Sequence, residues 1–248
     1  MEPIKTTGLV LRTSSPTESS QALTVLTPDY GKISIWARGI KSAKNPMRAG
    51  CGVFCYSEFI LLPRPNMYSL TGCTLLEGFY PLREDVEKLS YAVYFAELCE
   101  LSAKEGIESR EVLRLLLNAL HYLAHDKKSA EDLKILFELR LLSAIGYMPC
   151  TIGCVLCGNP EAHVLSPKSG GLVCAACGEG RPLSAAAVHV LHAYTCGPLK
   201  PALDFDGQSV KDELAAPVEA FLRYHIEGQP KSLAYLKRMQ NILNRTIE

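Results

Sequence analysis

The chain has 248 residues, with 26 Lys/Arg against 26 Asp/Glu and 10 cysteines, so its formal net charge is zero. That length holds one large or two modest domains and buries enough surface to fold without disulfide staples. Cysteines at this density exclude a disulfide scaffold, balanced charge argues against whole-molecule attraction to nucleic acid, and no apolar run approaches the length of a membrane span.

The first ten residues carry Glu2 and Lys5 and lack a signal-peptide core, so a cytoplasmic protein is expected. Charge is distributed unevenly. Residues 1–80 hold eight basic against five acidic side chains, residues 81–150 nine against twelve, and residues 151–248 nine against nine. A basic front precedes an acidic middle.

Short strands are predicted at 8–12, 22–27, 32–38, 54–62 and 67–76, from runs rich in Val, Ile, Leu, Thr and aromatics. Turn chemistry separates them: Thr27-Pro28-Asp29-Tyr30-Gly31, a Gly/Pro/Lys stretch at 39–50, and Pro63-Arg64-Pro65-Asn66. Five strands in eighty residues predict a small closed barrel, for which the oligonucleotide-binding (OB) fold is the commonest five-strand solution. In the third strand, alternation puts Ile33, Ile35 and Ala37 on one face and Lys32, Ser34, Trp36 and Arg38 on the other. Trp36, the only tryptophan, is thus interleaved with cations, as base stacking on single strands requires. The alternative, that it packs under the following loop, is the commoner fate of a large aromatic. The segment 38–48 adds Lys41, Lys44 and Arg48 with no acidic residue, among flexible Gly, Ser, Asn and Pro. It reads as a loop that tracks phosphates, against the bland reading of a solvated basic loop. The candidate DNA contacts are therefore Lys32, Trp36, Arg38, Lys41, Lys44 and Arg48.

After Pro81 the period becomes 3.6. Leu113, Leu116, Leu117 and Leu120 form one stripe. Leu133, Leu136, Phe137, Leu141 and Ala144 form another, widened by Ile135, Leu139 and Leu142 to nearly all-round apolar, which predicts a central helix. Ser129 with Asp132 should cap its start, and Gly146 with Pro149 should end it. Helical patterns resume at 184–195, 209–227 and 232–247. The expected organisation is α+β: a five-stranded OB-fold barrel at 1–80, then an all-helical domain at 81–248 with an inserted metal module at 150–180.

That module carries Cys154-Val155-Leu156-Cys157 and Cys174-Ala175-Ala176-Cys177, sixteen residues apart, the spacing at which four thiolates close a tetrahedron around one ion. Gly158 and Gly178 follow the pairs and are expected to take positive φ, turning amide N–H groups toward the sulfurs. Four sulfur ligands leave no open position for water or substrate, so the site reads as structural zinc, with mononuclear iron as its rival. His121 and His125 are read as structural, while His163, His192 and Cys196 are minor alternatives as metal ligands because four thiolates are already at hand. The sequence contains no nucleophile elbow, phosphate-binding Gly-rich loop or His-Glu-x-x-His motif, and a non-enzymatic protein is expected.

In order, these pieces resemble the RecO family of bacterial recombination mediators, over nearly the whole chain. Gly8-Leu9-Val10-Leu11-Arg12, Thr27-Pro28-Asp29-Tyr30-Gly31-Lys32 and Ala37-Arg38-Gly39 are similar to its first strands and turn. Phe137-Glu138-Leu139-Arg140-Leu141-Leu142, leading to Gly146-Tyr147-Met148-Pro149, resembles the helix before its zinc module, and Cys154, Cys157, Cys174 and Cys177 match the ligands of members that retain zinc. Two departures stand out: Ser20-Gln21 where the family commonly has Asp-Arg, and a shortened Gly228-Gln229-Pro230-Lys231-Ser232 turn. The resemblance implies a non-enzymatic, nucleoid-associated protein that binds single- and double-stranded DNA, anneals complementary strands, engages the single-stranded DNA-binding protein SSB, and acts with RecR to load RecA. Docking of SSB's acidic, apolar-ended tail calls for a hydrophobic groove flanked by cations. The apolar faces of 133–144 and Lys231, Lys237 and Arg238 are the expected components. Two other classes compete: a zinc-stabilised adaptor whose barrel binds protein and no DNA, and a thiol redox enzyme.

Overall fold

The structure, a computed structural model, describes residues 2–15 and 17–247, with side chains through Gln240 and that of Ile242. Five strands, β1 (Ile4–Ser14), β2 (Gln21–Thr27), β3 (Gly31–Ala37), β4 (Tyr56–Arg64) and β5 (Met67–Glu77), close a barrel in the order β1-β2-β3-β5-β4. All neighbours are antiparallel except β3 and β5, which run parallel at Ile35↔Tyr68 and Trp36↔Ser69. This is the five-stranded barrel of the OB fold. Its interior is filled by Val10, Leu23, Val25, Ile33, Ile35, Ala37, Phe59 and Leu61. Ile40 and Cys51, from the two ends of the β3–β4 connection, are buried with them. That connection is therefore anchored rather than loose: Asn45 accepts from Met47 N at 3.0 Å to start a 3-10 turn over Pro46–Cys51, and its Nδ2 donates to Gly39 O at 3.1 Å.

Helices α1 (Val86–Ser102) and α2 (Arg110–Ala124) pack on the outside of β1 and β2, where Leu9 and Leu26 are fully buried on the face opposite Val10 and Val25. The α1–α2 connection docks on the β2–β3 turn through Gly106 N to Tyr30 O and Ser109 N to Pro28 O. Gly31 allows that approach, because it sits at φ +65° and a Cβ there would strike the Lys104 carbonyl. Packing accordingly groups the chain as Met1–Ala124 and His125–Glu248. The compositional change at Pro81 marks where strands give way to helices, and compactness divides the chain later, after α2.

The second unit is built around α3 (Ala130–Ala144), whose Leu133, Ile135, Leu136, Phe137, Leu139, Leu141 and Leu142 are all buried, as its all-round apolar pattern predicts. Ser129 caps it by accepting from Asp132 N, and Gly146 follows its end at φ +92°. A helix buried on every side must carry its charges in pairs. Asp132 holds Lys128 at 2.7 Å and accepts from the Tyr194 hydroxyl at 2.6 Å, while Lys134 holds Glu138 at 2.7 Å. Around α3 lie α4 (Ala185–Thr195), α5 (Leu199–Asp204), α6 (Lys211–His225) and α7 (Lys231–Ile247). Arg140 closes the C-terminus of α4 by donating to the carbonyls of Cys196 and Gly197 at 2.9 and 2.8 Å. Between α3 and α4 the chain makes a two-stranded hairpin, β6 (Val164–Ser166) and β7 (Gly171–Val173), so this region is not wholly helical. No helix among the described residues is long and apolar enough to cross a membrane.

Candidate metal centre and nucleic-acid interface

The β6–β7 hairpin brings the two cysteine pairs together. Val155 N donates to Leu172 O and His163 N to Val173 O, which ties the segment around the first pair to the strand that leads into the second. One sulfur from each of Cys154, Cys157, Cys174 and Cys177 lies within 4.8 Å of the other three, and the Cys157 and Cys174 sulfurs are 3.6 Å apart. Four sulfurs bound about 2.3 Å from one ion would be about 3.8 Å from each other, so this set fits a tetrahedral metal. Burial would raise the Cys154 thiol, but the N–H groups of Cys174, Leu156 and Cys157 outweigh it and bring it down to about 6. Contact with the Cys157 and Cys174 sulfurs pushes Cys177 up to about 12. Cys154 and Cys177 are thus driven in opposite directions without a cation, and a divalent ion would let neighbouring thiolates coexist.

The glycines divide in their roles. Gly158 has the expected positive φ, +77°, and Gly153 before the first pair has +64°. Gly178 does not adopt positive φ, contrary to expectation. It is required for space, because a Cβ there would lie 2.5 Å from Cγ2 of Val173. His163 is outside the sulfur cluster, and His192 is engaged by the Thr151 hydroxyl at 2.8 Å.

In the first unit, β3 alternates as predicted: Ile33, Ile35 and Ala37 point inward, and Lys32, Ser34, Trp36 and Arg38 outward. Four of the six candidate DNA contacts face solvent or a cleft. Arg38, Lys44 and Arg48 are exposed, with no carboxylate partner among the described residues. Trp36 is half-buried at the wall of a cleft of about 470 Å³ that also contains Arg38, Arg64, Pro65, Asn66, Met67 and Ser69. The other two are engaged within the unit: Lys32 Nζ donates to Glu100 O near the end of α1 at 2.6 Å, and Lys41 Nζ donates to Thr17 O at 2.9 Å. Arg64 and Met67 lie in the β4–β5 hairpin, and no local pattern in the sequence pointed to them. Only the parallel β3–β5 pairing brings them beside Trp36.

In the second unit, the groove expected from the apolar faces of α3 is absent, because those leucines are interior. A cleft of about 430 Å³ lies instead between α3, α6 and α7, with Lys134, Lys211, Arg223 and Lys237 among its cations and Glu131, Asp212 and Glu219 among its acids. Of the three anticipated partner cations, Lys237 lines it and holds Glu219 at 2.6 Å, while Lys231 and Arg238 are exposed elsewhere on α7. Sequence reasoning missed Lys211 and Arg223 because each is a lone cation, Lys211 beside acids and Arg223 among apolar and aromatic residues, in a stretch that reads only as an amphipathic helix.

Comparison with known proteins gives a consistent result along the chain. Residues 1–79 match the family described as Recombination protein O N terminal, and residues 83–234 match Recombination protein O C terminal. The chain is 34% identical to the DNA repair protein RecO of Desulforudis audaxviator over 247 residues, covering 96% of this chain and 98% of that one. It is 29% identical to RecO of Acetivibrio thermocellus over 98% of this chain and 99% of the other. With RecO of Alkaliphilus metalliredigens the identity is 36% over 70% and 72%.

Proposed function

The chain belongs to the RecO family of DNA repair proteins, and we propose that it is a non-enzymatic mediator of recombinational repair that binds DNA, anneals complementary single strands and, with RecR and SSB, promotes RecA loading. The observation that carries the DNA reading is the set of exposed, carboxylate-free cations, Arg38, Lys44 and Arg48, on one end of an OB barrel. Annealing needs a surface that screens the repulsion between two phosphate backbones, and such cations supply it. The four cysteines hold one structural zinc, an assignment supported by their all-sulfur composition and closed geometry. SSB's acidic tail is assigned to the cleft between α3, α6 and α7, where cations would meet its carboxylates and Ala215, Ala216 and Ala220 its apolar end.

The test is binding of single-stranded DNA as salt is raised. The slope of log affinity against log salt should fall by about 1.4 in Lys44→Glu/Arg48→Glu, two lost contacts at about 0.7 each, with metal content unchanged. An unaltered slope would move the phosphate track off this connection.

A further inference from the structure

The cleft beside Trp36 is built for something other than a phosphate backbone. On the outer face of β3, Trp36 is paired across the sheet with Ala22 on β2 and Ser69 on β5. Both neighbours are small, so neither covers the indole. Cross-strand partners normally supply much of an aromatic's packing on a sheet face. Met67, 38% exposed at the start of β5, adds a second uncovered apolar surface. The parts of the indole and thioether that remain exposed contribute nothing to folding, because they are not removed from water.

The same cleft is ringed by cations. Arg38 follows Trp36 on β3, and Arg64 comes from the β4–β5 hairpin, its Nε near the Ser69 hydroxyl at 3.5 Å. No carboxylate lines the cleft. Its volume, about 470 Å³, lies within the range of small-ligand sites. A flat apolar wall with a soft sulfur beside it and two guanidiniums at its rim matches one chemical object, an aromatic base attached to anionic linkers.

We propose that this cleft holds one unpaired nucleobase of a DNA single strand, stacked on Trp36 against Met67, with Arg38 and Arg64 on the phosphates that flank it. The proposal rests on the DNA-binding reading and specifies where a base goes. In a duplex both faces of each base are covered by its neighbours, so the cleft selects single strands, while the cations of the β3–β4 connection act on either form. A bound base would also orient the strand relative to the barrel. Base–aromatic stacking of about 1–3 kcal/mol corresponds to about 5- to 150-fold in affinity, a difference that is readily measured.

Trp36 is the only tryptophan of the chain, so fluorescence of the full-length protein excited selectively at tryptophan, past the absorption of its 11 tyrosines, reports on this cleft. Oligothymidylate should quench it in proportion to binding followed independently by anisotropy. A blunt duplex and an abasic oligonucleotide of the same length should bind with little quenching. Arg64→Gln and Met67→Ser should each weaken single-strand binding by about fivefold or more and reduce the quenching, leaving duplex affinity within twofold. Normal single-strand binding with unchanged Trp36 emission would overturn the proposal while leaving the DNA reading intact. So would equal quenching by the duplex, or quenching only by a partner protein. Loss of all DNA binding in the wild type at low salt would overturn both.

Discussion

Lys32 and Arg38 stand on the same face of the same strand and have opposite fates. Arg38 is exposed at the end of β3 beside the Trp36 cleft, whereas the Lys32 ammonium is held by the Glu100 carbonyl near the end of α1. A cation there also meets the negative end of the helix dipole, which strengthens the contact. Lys32→Met should therefore act on stability: denaturant unfolding of the barrel unit should lose about 1–2 kcal/mol, and single-strand affinity should change less than twofold. If affinity fell tenfold with stability unchanged, Lys32 would be a DNA contact as its position in the sequence suggests. Cysteine spacing is legible because tetrahedral ligation would impose it locally; the destination of a lysine head four carbons from its backbone is not, since it is chosen by whatever element folds nearby.

At the scale of elements, the metal hairpin is the one that cannot stand alone. β6 and β7 have three residues each, too few to persist without a staple. Purified protein should contain one zinc per chain, and Cys174→Ser should abolish it. Acid should do the same to the wild type. The bound state needs all four sulfurs deprotonated, while in the metal-free state Cys177 keeps its proton up to about pH 12 and Cys154 keeps its proton only below about pH 6. Binding therefore releases protons, so affinity falls as pH falls, increasingly steeply once Cys154 is also protonated. Zinc release followed with a chromogenic chelator should accelerate on acidification below about pH 6 and be accompanied by loss of the hairpin's amide protection. Release independent of pH would mean that the sulfurs are not the ligands.

At the scale of the whole molecule, DNA contact and partner contact are assigned to different units, and this division is testable. Arg223→Glu combined with Lys237→Gln should leave annealing of bare strands within twofold of wild type and slow annealing of SSB-coated strands about tenfold, because the cleft between α3, α6 and α7 would repel an acidic tail. Lys44→Glu/Arg48→Glu should slow both reactions. Equal loss of both by the cleft variant, with the fold intact by circular dichroism, would mean that these cations serve DNA directly.

What the sequence determined by itself was everything that depends on neighbours along the chain. The strand periodicity around Trp36, the all-round apolar run of α3, the Ser129 cap and the Cys-x-x-Cys pairs each encode a local geometry, and each is found where it was expected. Order along the chain sufficed for the family as well, because each piece constrains the next. Tertiary structure alone decided which charges remain available and what lines each cleft. It buried the leucines of α3 that the sequence offered as a docking face, engaged Lys32 and Lys41 within the unit, and set Arg64 beside Trp36 through a parallel pairing between strands that are not consecutive. Side-chain availability is a property of long-range packing, and a periodic pattern records which face a residue takes but not what that face meets.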